Sequence, residues 1–470
     1  MVFLTVLLMF GMTCSVSAKE YDYILTDEEG KLPIAVAYRP RRVLLRMDTE
    51  NAYLKSPSDL FIRGDHLYIA DTGNDRVLKL DKSFHVEREY TLNDTATPLN
   101  GPQGIYVDEW DSLYVADTGN HRVVHISDDG EWIEDFIQPD SALFDAKSYG
   151  FSPTKIEMDR FGYLCIINGS DYHGIVKLDA TDRFIGYYGT NKVTNTFFDT
   201  VIRYFGTEEQ KEQYIKKQPP YITNLCVGAD GYMYTTNALM NDQEIKRLDQ
   251  SGSNVYVKNK SFVEEDDEGK GMLSDIHVSD RGIVTVVDCL KQRVYQYDAE
   301  GDMLCAFGEK GTRAGTFAYP VAVGSDADGD LYVLDRDNAN IQVFEKTAFI
   351  QLVHEYLGQY AEGDYDTCYS TLQDVLSIDS TYMPAYRMLG KIYYKQQKYE
   401  ESMAACRKAN DVAGYSQAFD KKRQQSYRDG FVPIVVATPV IGVLLVVFIS
   451  RTRRRARAKI LEGYVSPLDG

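Results

Sequence analysis

The chain alternates between short segments of apolar and polar residues and turns rich in Asp, Asn and Gly. The clearest segment, LYIADTGNDRVLKLD at 67–81, returns as LYVADTGNHRVVHIS at 113–127. Such alternation over four to eight residues predicts β-strands. Each copy opens with an apolar run after a proline, as at 57–62, and in five copies a fourth run follows, as at 86–92. The repeating unit is therefore predicted to be four short antiparallel strands.

One polar residue ends the second strand of every copy. Its six positions lie 46, 51, 69, 51 and 47 residues apart, a period typical of arrays of one supersecondary unit. The six anchors are Asp71, Asp117, Asn168, Asn237, Asp288 and Asp335. Six such units predict a mainly β fold, a six-bladed β-propeller over residues 19–346, which leaves only short, protected edges.

Blade six lacks a fourth strand, because the chain runs from Phe344 directly into a helical pattern. Residues 20–46 precede the first repeat and contain two strand-like runs, PIAVAY and RVLL. We expect this N-terminal stretch to supply the missing strand and so close the ring.

Residues 191–220 interrupt the period between blades three and four. Apolar residues at helical spacing, and Thr207 followed by Gln210 as in a capping box, predict one or two helices there. The insertion covers a channel mouth, forms a partner surface, or packs on its own blade; the residues leave these alternatives open.

The C-terminal part changes to helical spacing. Similar residues lie 34 positions apart, among them Tyr365 and Tyr399. Residues 431–450 carry no charge, and at about 1.5 Å per residue they span a bilayer core of about 30 Å. We predict a helical module at 347–428, a transmembrane helix at 429–450 and a basic tail at 451–470.

The charges around the predicted span set its orientation. The tail opens with RTRRRARAK, and the positive-inside rule places it in the cytoplasm. An apolar run at 2–12, followed by V-S-A, predicts a secretory signal peptide over 1–18. A single-pass protein of the cell membrane, with its bulk outside the cell, is expected.

Two segments resemble known repeats. P-x-G-I-Y-V followed by LYVADTGNHRV resembles the NHL repeat, and 307–320 is similar to its inter-blade linker. Residues 386–409, YRMLGKIYYKQQKYEESMAACRKA, resemble a tetratricopeptide repeat. The resemblances imply an NHL-type propeller followed by a tetratricopeptide-like helical module.

The recurring segment Asp71-Thr72-Gly73-Asn74 has two interpretations. It is a polar ligand loop, or it is a turn in which Asp and Asn bond their own backbone and Gly supplies a positive φ. Because the motif recurs around the ring, we favour the turn.

The charge of the chain narrows the class of partner. The whole chain carries −19, the tail has six Lys/Arg against two Asp/Glu, and residues 1–18 carry no charge, so residues 19–450 hold −23. Such an acidic surface disfavours nucleic acid as a partner, and the arginine run is explained by membrane topology.

Six cysteines outside the signal are interpreted as small buried residues, with Cys289 and Cys305 the least implausible disulfide pair.

Six-bladed lactonases and an amidating lyase have a related architecture, and this resemblance implies metal ligands around the channel mouth. Asp59, Asn224 and Asp275 stand at one position of the first strands and can ligate calcium through oxygen. Lys155 stands in the same ring and would repel a cation. No G-x-S-x-G or H-E-x-x-H motif occurs, so we assign no catalytic residue, metal ligand or cofactor. We assign a binding mouth to Asp59, Gln103, Lys155, Asn224 and Asp275.

The whole arrangement is similar to a group of bacterial surface proteins encoded beside sugar ABC-transporter components. This resemblance implies an accessory or scaffold role at a transporter. The sequence therefore predicts a membrane-anchored extracellular binding protein that contacts protein or glycan through the propeller mouth and the helical module. Two alternatives stay open: a metal-dependent lactonase-like hydrolase, and a structural cell-surface protein without a small ligand.

Overall fold

The computed structural model describes residues 21–26, 30–48, 52–141, 143–144, 150–169, 171–181, 183–191, 207, 219–238, 243–256, 261–266 and 269–462. They divide into two compact units, with the boundary after Thr381. The predicted signal peptide at 1–18 and nearly all of the insertion at 191–220 lie outside the described residues.

The first unit contains six sheets arranged as the blades of a propeller. Blade one comprises β4 (Asp59–Arg63), β5 (His66–Asp71), β6 (Arg76–Leu80) and β7 (Val86–Tyr90). Blade two comprises β8 (Pro102–Val107), β9 (Leu113–Asp117), β10 (Arg122–Ile126) and β11 (Trp132–Phe136). Blade three comprises β12 (Pro153–Met158), β13 (Leu164–Asn168), β14 (Ile175–Leu178) and β15 (Phe184–Tyr188).

The remaining blades follow the same order. Blade four comprises β16 (Ile222–Val227), β17 (Met233–Asn237) and β18 (Ile245–Leu248), and a hairpin of β19 (Glu265–Asp266) and β20 (Gly269–Lys270) follows it. Blade five comprises β21 (Leu273–Val278), β22 (Val284–Asp288), β23 (Arg293–Tyr297) and β24 (Met303–Phe307). Blade six comprises β25 (Pro320–Ser325), β26 (Leu331–Asp335) and β27 (Asn340–Lys346).

The first strand of each blade is innermost, and each first strand contacts that of the next blade, including β25 with β4. The six first strands therefore surround a central channel. Alternation explains the arrangement, because the side chains of a strand point to opposite faces of its sheet. Each blade buries its apolar face against a neighbour, as where Leu60 and Ile69 of blade one pack with Leu334 of blade six. Burial of such side chains contributes about 1.5–3 kcal/mol each.

The N-terminal strands close the ring as predicted. Strand β3 (Tyr38–Leu44) pairs antiparallel with β27 and becomes the fourth strand of blade six. A hairpin of β1 (Tyr23–Thr26) and β2 (Gly30–Pro33) extends the outer edge of blade five, where Tyr23 pairs with Ala306. The sequence did not predict this extension.

Blade four departs from the predicted four strands. Its sheet has three strands among the described residues, and the pairing beyond β18 is one isolated bridge between Leu248 and Asn254. Within the described residues the predicted fourth strand of this blade is therefore reduced to one bridge, and residues 257–260, which follow it, lie outside them.

The recurring D-T-G-N segment is a turn whose polar groups are used internally. Asp71 accepts hydrogen bonds from the backbone N–H of Lys55 at 2.7 Å, from Asn74 Nδ2 at 2.8 Å and from Arg76 Nε at 2.8 Å. The predicted role of glycine is wrong in one respect, since the positive φ of 52° belongs to Asp75. Gly73 is required for space, because a Cβ there would lie 2.6 Å from the carbonyl oxygen of Lys55.

Two helices follow blade six within the first unit, α1 (Ala348–Glu362) and α2 (Tyr365–Ile378). Thr347 begins α1, and its side chain accepts from the backbone N–H of Ile350. The buried His354 of α1 places Nε2 3.2 Å from Gln296 Oε1 of blade five. Helix α1 is thereby joined to the propeller.

The second unit contains α3 (Met383–Lys395), α4 (Tyr399–Lys408) and α5 (Val412–Glu462). Helices α3 and α4 pack closely where Ser402 Oγ donates to the carbonyl oxygen of Gly390 at 2.8 Å. The helical character of this region is confirmed, whereas its assignment to tetratricopeptide-like repeats stays a prediction.

Helix α5 is long and apolar enough, over part of its length, to cross a membrane. It runs without interruption through the predicted span, although Pro433 and Pro439 lie inside it. The boundary predicted between 428 and 429 is therefore not a break in the helix. Its last turns carry the arginine-rich segment of the predicted tail.

Candidate functional site

Six positions, one on each inner strand, form a ring around the channel. Each stands opposite the residue that precedes the anchor of the second strand. The ring positions are Asp59, Gly104, Lys155, Asn224, Asp275 and Ala322. The same register in all blades brings residues that are far apart in the sequence to one level of the channel.

The ammonium group of Lys155 lies between two carboxylates of this ring. Its Nζ is 2.6 Å from Asp59 Oδ1 and 3.6 Å from Asp275 Oδ1. Asn224 donates from Nδ2 to the same Oδ1 of Asp275 at 2.6 Å. Four of the five residues predicted for the binding mouth are therefore brought together.

The remaining carboxylate oxygens bond to the backbone of the next blade. Asp59 Oδ2 accepts from the N–H of Ile105 in blade two at 2.9 Å. Asp275 Oδ2 accepts from the N–H of Val323 in blade six at 2.7 Å. The cluster thus joins all six blades through hydrogen bonds and ion pairs, and we call Asp59, Lys155, Asn224 and Asp275 the ring cluster.

The ring cluster is almost closed to solvent, with relative exposures of 2% for both Asp59 and Asp275. Burial raises the pKa of Asp275 to about 6, although the charge of Lys155 opposes this rise. Burial alone would lower the pKa of Lys155, but the charges of Asp275 and Asp59 raise it above its ordinary value. The lysine is therefore held as a cation between acidic groups that share it.

Gln103, the fifth predicted residue, does not join the ring cluster. It lies one position before Gly104, and its backbone carbonyl accepts from Ser58 Oγ at 2.6 Å. Within the described residues its side chain makes no recorded hydrogen bond with the ring cluster. Its assignment to the binding mouth gains no support.

The predicted calcium ligands are arranged differently from an open metal site. The ammonium group of Lys155 occupies the space between the oxygens of Asp59 and Asp275 that a metal ion would need. Its positive charge there would repel a metal ion, as expected from the sequence. Among the described residues, no group of three or more His, Cys, Asp or Glu side chains is placed to hold a metal ion.

A second layer of side chains follows two positions further along the inner strands. It consists of Phe61, Tyr106, Glu157, Cys226, His277 and Gly324. Burial raises the pKa of Glu157 to about 8 and lowers the pKa of His277 to about 4. Both groups are therefore uncharged near neutral pH, and His277 places Nε2 2.8 Å from Ser325 Oγ.

This second layer was not predicted from the sequence. The signal that identifies it is the period of two along a strand, because residues i and i+2 face the same side. Applied to Lys155 and Asp275, that rule gives Glu157 and His277. The channel thus has one charged level and one uncharged level.

The cysteines contribute no disulfide to the site. Cys165, Cys226, Cys289, Cys305, Cys368 and Cys406 are all free thiols. Burial raises the pKa of Cys226 well above its ordinary value, so this thiol of the second layer is held as the unreactive neutral form.

Comparison with known protein families identifies two of the repeats. Residues 99–126 and 317–344 match the NHL repeat, so blades two and six contain NHL repeats. No curated protein sequence matches the chain significantly.

Several solved propellers are similar in structure. A virginiamycin B lyase from Staphylococcus aureus is 13% identical, with a TM-score of 0.39, over 61% of this chain and 80% of that chain. A putative gluconolactonase is 12% identical, with a TM-score of 0.41, over 67% of this chain and 94% of that chain. A streptogramin B lyase is 13% identical, with a TM-score of 0.39, over 61% and 78%. Likenesses of this degree carry no argument about activity.

Proposed function

We propose that this protein is a membrane-anchored binding protein, whose propeller is a rigid extracellular platform and whose C-terminal helix is the anchor. The observation that carries the proposal is the position of Lys155 between Asp59 and Asp275. The acidic groups of the ring cluster are satisfied by this lysine, by Asn224 and by backbone N–H groups. Contacts with partners are then left to the outer surfaces of the blades and to the helices.

The membrane anchor is supported by the composition of α5. Its central segment is uncharged from 431 to 450, and Arg451, Arg453, Arg454, Arg455, Arg457 and Lys459 follow. Positive charge on this side favours a cytoplasmic tail, which leaves the propeller on the extracellular side of the cell membrane.

A protein partner is favoured over a nucleic acid because residues 19–450 carry −23. The resemblance to surface proteins encoded beside sugar ABC transporters supports an accessory role at such a transporter. A glycan ligand of the platform is compatible with that role.

The alternative of a metal-dependent hydrolase is weaker. It needs Asp59, Asn224 and Asp275 to present open oxygen ligands, whereas these side chains bond to one another, to Lys155 and to neighbouring backbone. A hydrolase would require Lys155 to leave its two carboxylates, at a cost of several kcal/mol for a buried pair.

The experiment that tests the proposal is purification of the tagged, full-length protein from its native membrane in detergent, followed by mass spectrometry. Enrichment of transporter permeases or a solute-binding protein, relative to an unrelated single-pass protein with the same tag, is expected. Recovery of the same background from both proteins would contradict the accessory role.

A further inference from the structure

Both tryptophans of the chain lie exposed at one end of blade two. Trp110 is in the turn between β8 and β9 and is 74% exposed, and Trp132 begins β11 and is 50% exposed. In an antiparallel four-stranded sheet, the first and third connections are at the same end. These are the only two tryptophans in the sequence, and because both side chains are exposed, neither contributes to the core. Large exposed aromatic side chains in one place mark an interaction site.

The turn that presents Trp110 has an internal counterpart in blade three. Asp108 Oδ1 accepts from the N–H groups of Trp110 and Ser112, both at 2.9 Å. Asp159 Oδ1 accepts in the same way from Phe161 at 2.9 Å and Tyr163 at 3.0 Å. The same turn therefore holds an aromatic residue outward in two adjacent blades.

The two turns differ in what covers the ring. In blade three the guanidinium carbon of Arg160 lies 4.8 Å from the centre of the Phe161 ring. In blade two Glu109 replaces the arginine, and no cation lies over Trp110 or Trp132 within the described residues. Arginines cover other aromatic rings of the propeller in the same manner, as Arg336 covers Tyr319 at 3.9 Å.

Several acidic side chains surround the two tryptophans, and some of them form no ion pair within the described residues. Glu109, Asp111 and Glu131 have no ion-pair partner in the described part of the chain. Nearby basic side chains are already engaged: Lys79 with Asp128 at 2.6 Å, Arg88 with Asp129 at 3.7 Å, and the imidazole of His125 with Glu134 at 3.2 Å. The end of blade two therefore offers indole faces and free carboxylates together.

We propose that this end of blade two, defined by Glu109, Trp110, Asp111, Glu131 and Trp132, binds an arginine-containing segment of a protein partner. A partner's arginine would stack on Trp110 as Arg160 stacks on Phe161, because indole is the best cation–π acceptor. The free carboxylates then pair with the same or the next basic side chain. The inference rests on the proposed binding function but needs neither the transporter nor the membrane anchor.

The size of the surface fits a short extended segment. Strands lie about 4.8 Å apart, so two or three strand spacings separate the inner turn from β11, about 10–14 Å. An extended chain of four or five residues covers that distance at about 3.3 Å per residue. Two basic side chains within such a segment can reach both tryptophans.

The fluorescence of the full-length protein in detergent tests this inference, because the two tryptophans are its only indoles. A decapeptide of alternating arginine and serine is the probe, and the matching glutamine–serine peptide is its control. Binding should shift the emission to shorter wavelength and reduce acrylamide quenching with the arginine peptide only.

Two variants, each replacing an acidic residue by arginine, decide whether the peptide binds specifically at blade two. Glu109→Arg supplies an internal cation, as in blade three, and should weaken binding about tenfold or more. Asp280→Arg changes the corresponding turn position of blade five and should alter affinity less than about twofold. The shared turn geometry makes both variants compatible with the fold.

Equal weakening in both variants would overturn the inference, because it would indicate unspecific attraction to an acidic surface. The absence of any response to the arginine peptide would also overturn it, as would a response to a neutral oligosaccharide in its place. A specific response to the arginine peptide, with no transporter subunit enriched in the purification, would overturn the accessory role alone and leave this contact site standing.

Discussion

The ammonium group of Lys155 lies 2.6 Å from Oδ1 of Asp59, although 96 positions separate the two residues in the sequence. The contact crosses the channel from blade three to blade one, and Asp275 of blade five lies on the other side of the same ammonium. A propeller whose central charges are paired in this way gains a connection between non-adjacent blades. The interaction is internal to the platform and needs no ligand.

Replacement of Lys155 by methionine should destabilise the propeller strongly. The change leaves the carboxylates of Asp59 and Asp275 buried without their shared cation, which costs about 3–5 kcal/mol. Thermal or denaturant unfolding of the detergent-solubilised protein measures the effect. Lys82→Met is the control, because Lys82 pairs with Asp65 on the surface, and its unfolding midpoint should not change measurably. A similar small effect from both variants would contradict a structural role for Lys155.

Gly104→Ala should destabilise the ring through sterics alone. A Cβ at this position would lie 2.6 Å from the carbonyl oxygen of Thr154 and 2.7 Å from the Cα of Lys155. Because both are backbone atoms of the next inner strand, the two blades must separate, at a cost of about 1–3 kcal/mol. Gly358→Ala in α1 is the matched control: its Cβ would meet nothing within 4 Å, and alanine should stabilise that helix by up to about 1 kcal/mol. Opposite signs in the two unfolding midpoints are expected.

Asp288→Asn should stabilise the protein relative to wild type as the pH rises. Oδ2 of Asp288 is buried without a hydrogen-bond partner within the described residues, and burial raises the pKa of this carboxyl to about 6. A raised folded-state pKa gives stability that is present below about pH 4 and is lost as the pH rises through 6. The stability difference between variant and wild type should therefore grow between pH 4.5 and pH 7.5.

Asp335→Asn is the matched control for Asp288→Asn, because Asp335 occupies the same anchor position at the end of the second strand of blade six. Both oxygens of Asp335 have partners: Oδ2 accepts from the N–H of Ala318 at 2.7 Å, and Oδ1 accepts from the N–H of Asn338 at 3.0 Å. This variant should be less stable than wild type at both pH values. Equal behaviour of the two variants would refute the assignment of Asp288 as the anchor with an unpartnered buried oxygen.

His354→Gln should make the packing of α1 less sensitive to acid. Burial, together with the nearby charges of Lys346 and Arg281, lowers the pKa of His354 to about 3. Stability contributed by the neutral imidazole is complete above about pH 6.5 and is lost as the pH falls towards 3. Between pH 7.5 and pH 4.5 the unfolding temperature of wild type should fall more than that of the variant. Parallel falls would show that another group controls the acid response.

The six-bladed architecture was readable from the sequence because one pattern is repeated with a nearly constant period. The closure by residues 38–44 was also predictable, since blade six lacked a strand and residues 20–46 had a strand pattern without a blade. The hairpin of β1 and β2 was not, because Tyr23 meets Ala306 through contacts that no local pattern encodes. Tertiary packing decided this element.

The ring cluster was predicted in part because its members share one position of the repeat. The repeat position alone identified Asp59, Lys155, Asn224 and Asp275. It could not show whether Lys155 repels a bound metal ion or forms ion pairs with the two carboxylates, because that depends on how far the lysine reaches across the channel. Gln103 was included from the neighbouring position, one residue off the ring. Glu157 and His277 were not predicted, because they stand two residues beyond the ring position, on the same face of each inner strand, and share no residue type with the other blades.

Calcium titration of the full-length protein determines whether Lys155 takes the place of a cation between Asp59 and Asp275. Binding is measured by calorimetry with wild type and with the smaller, neutral Lys155→Ser variant. We expect no specific calcium binding by wild type, and we expect the variant to gain calcium affinity and to recover part of its stability when calcium binds. Binding of about one calcium ion per wild-type chain, lost in Asp59→Asn, would contradict the claim and favour the metal-dependent hydrolase.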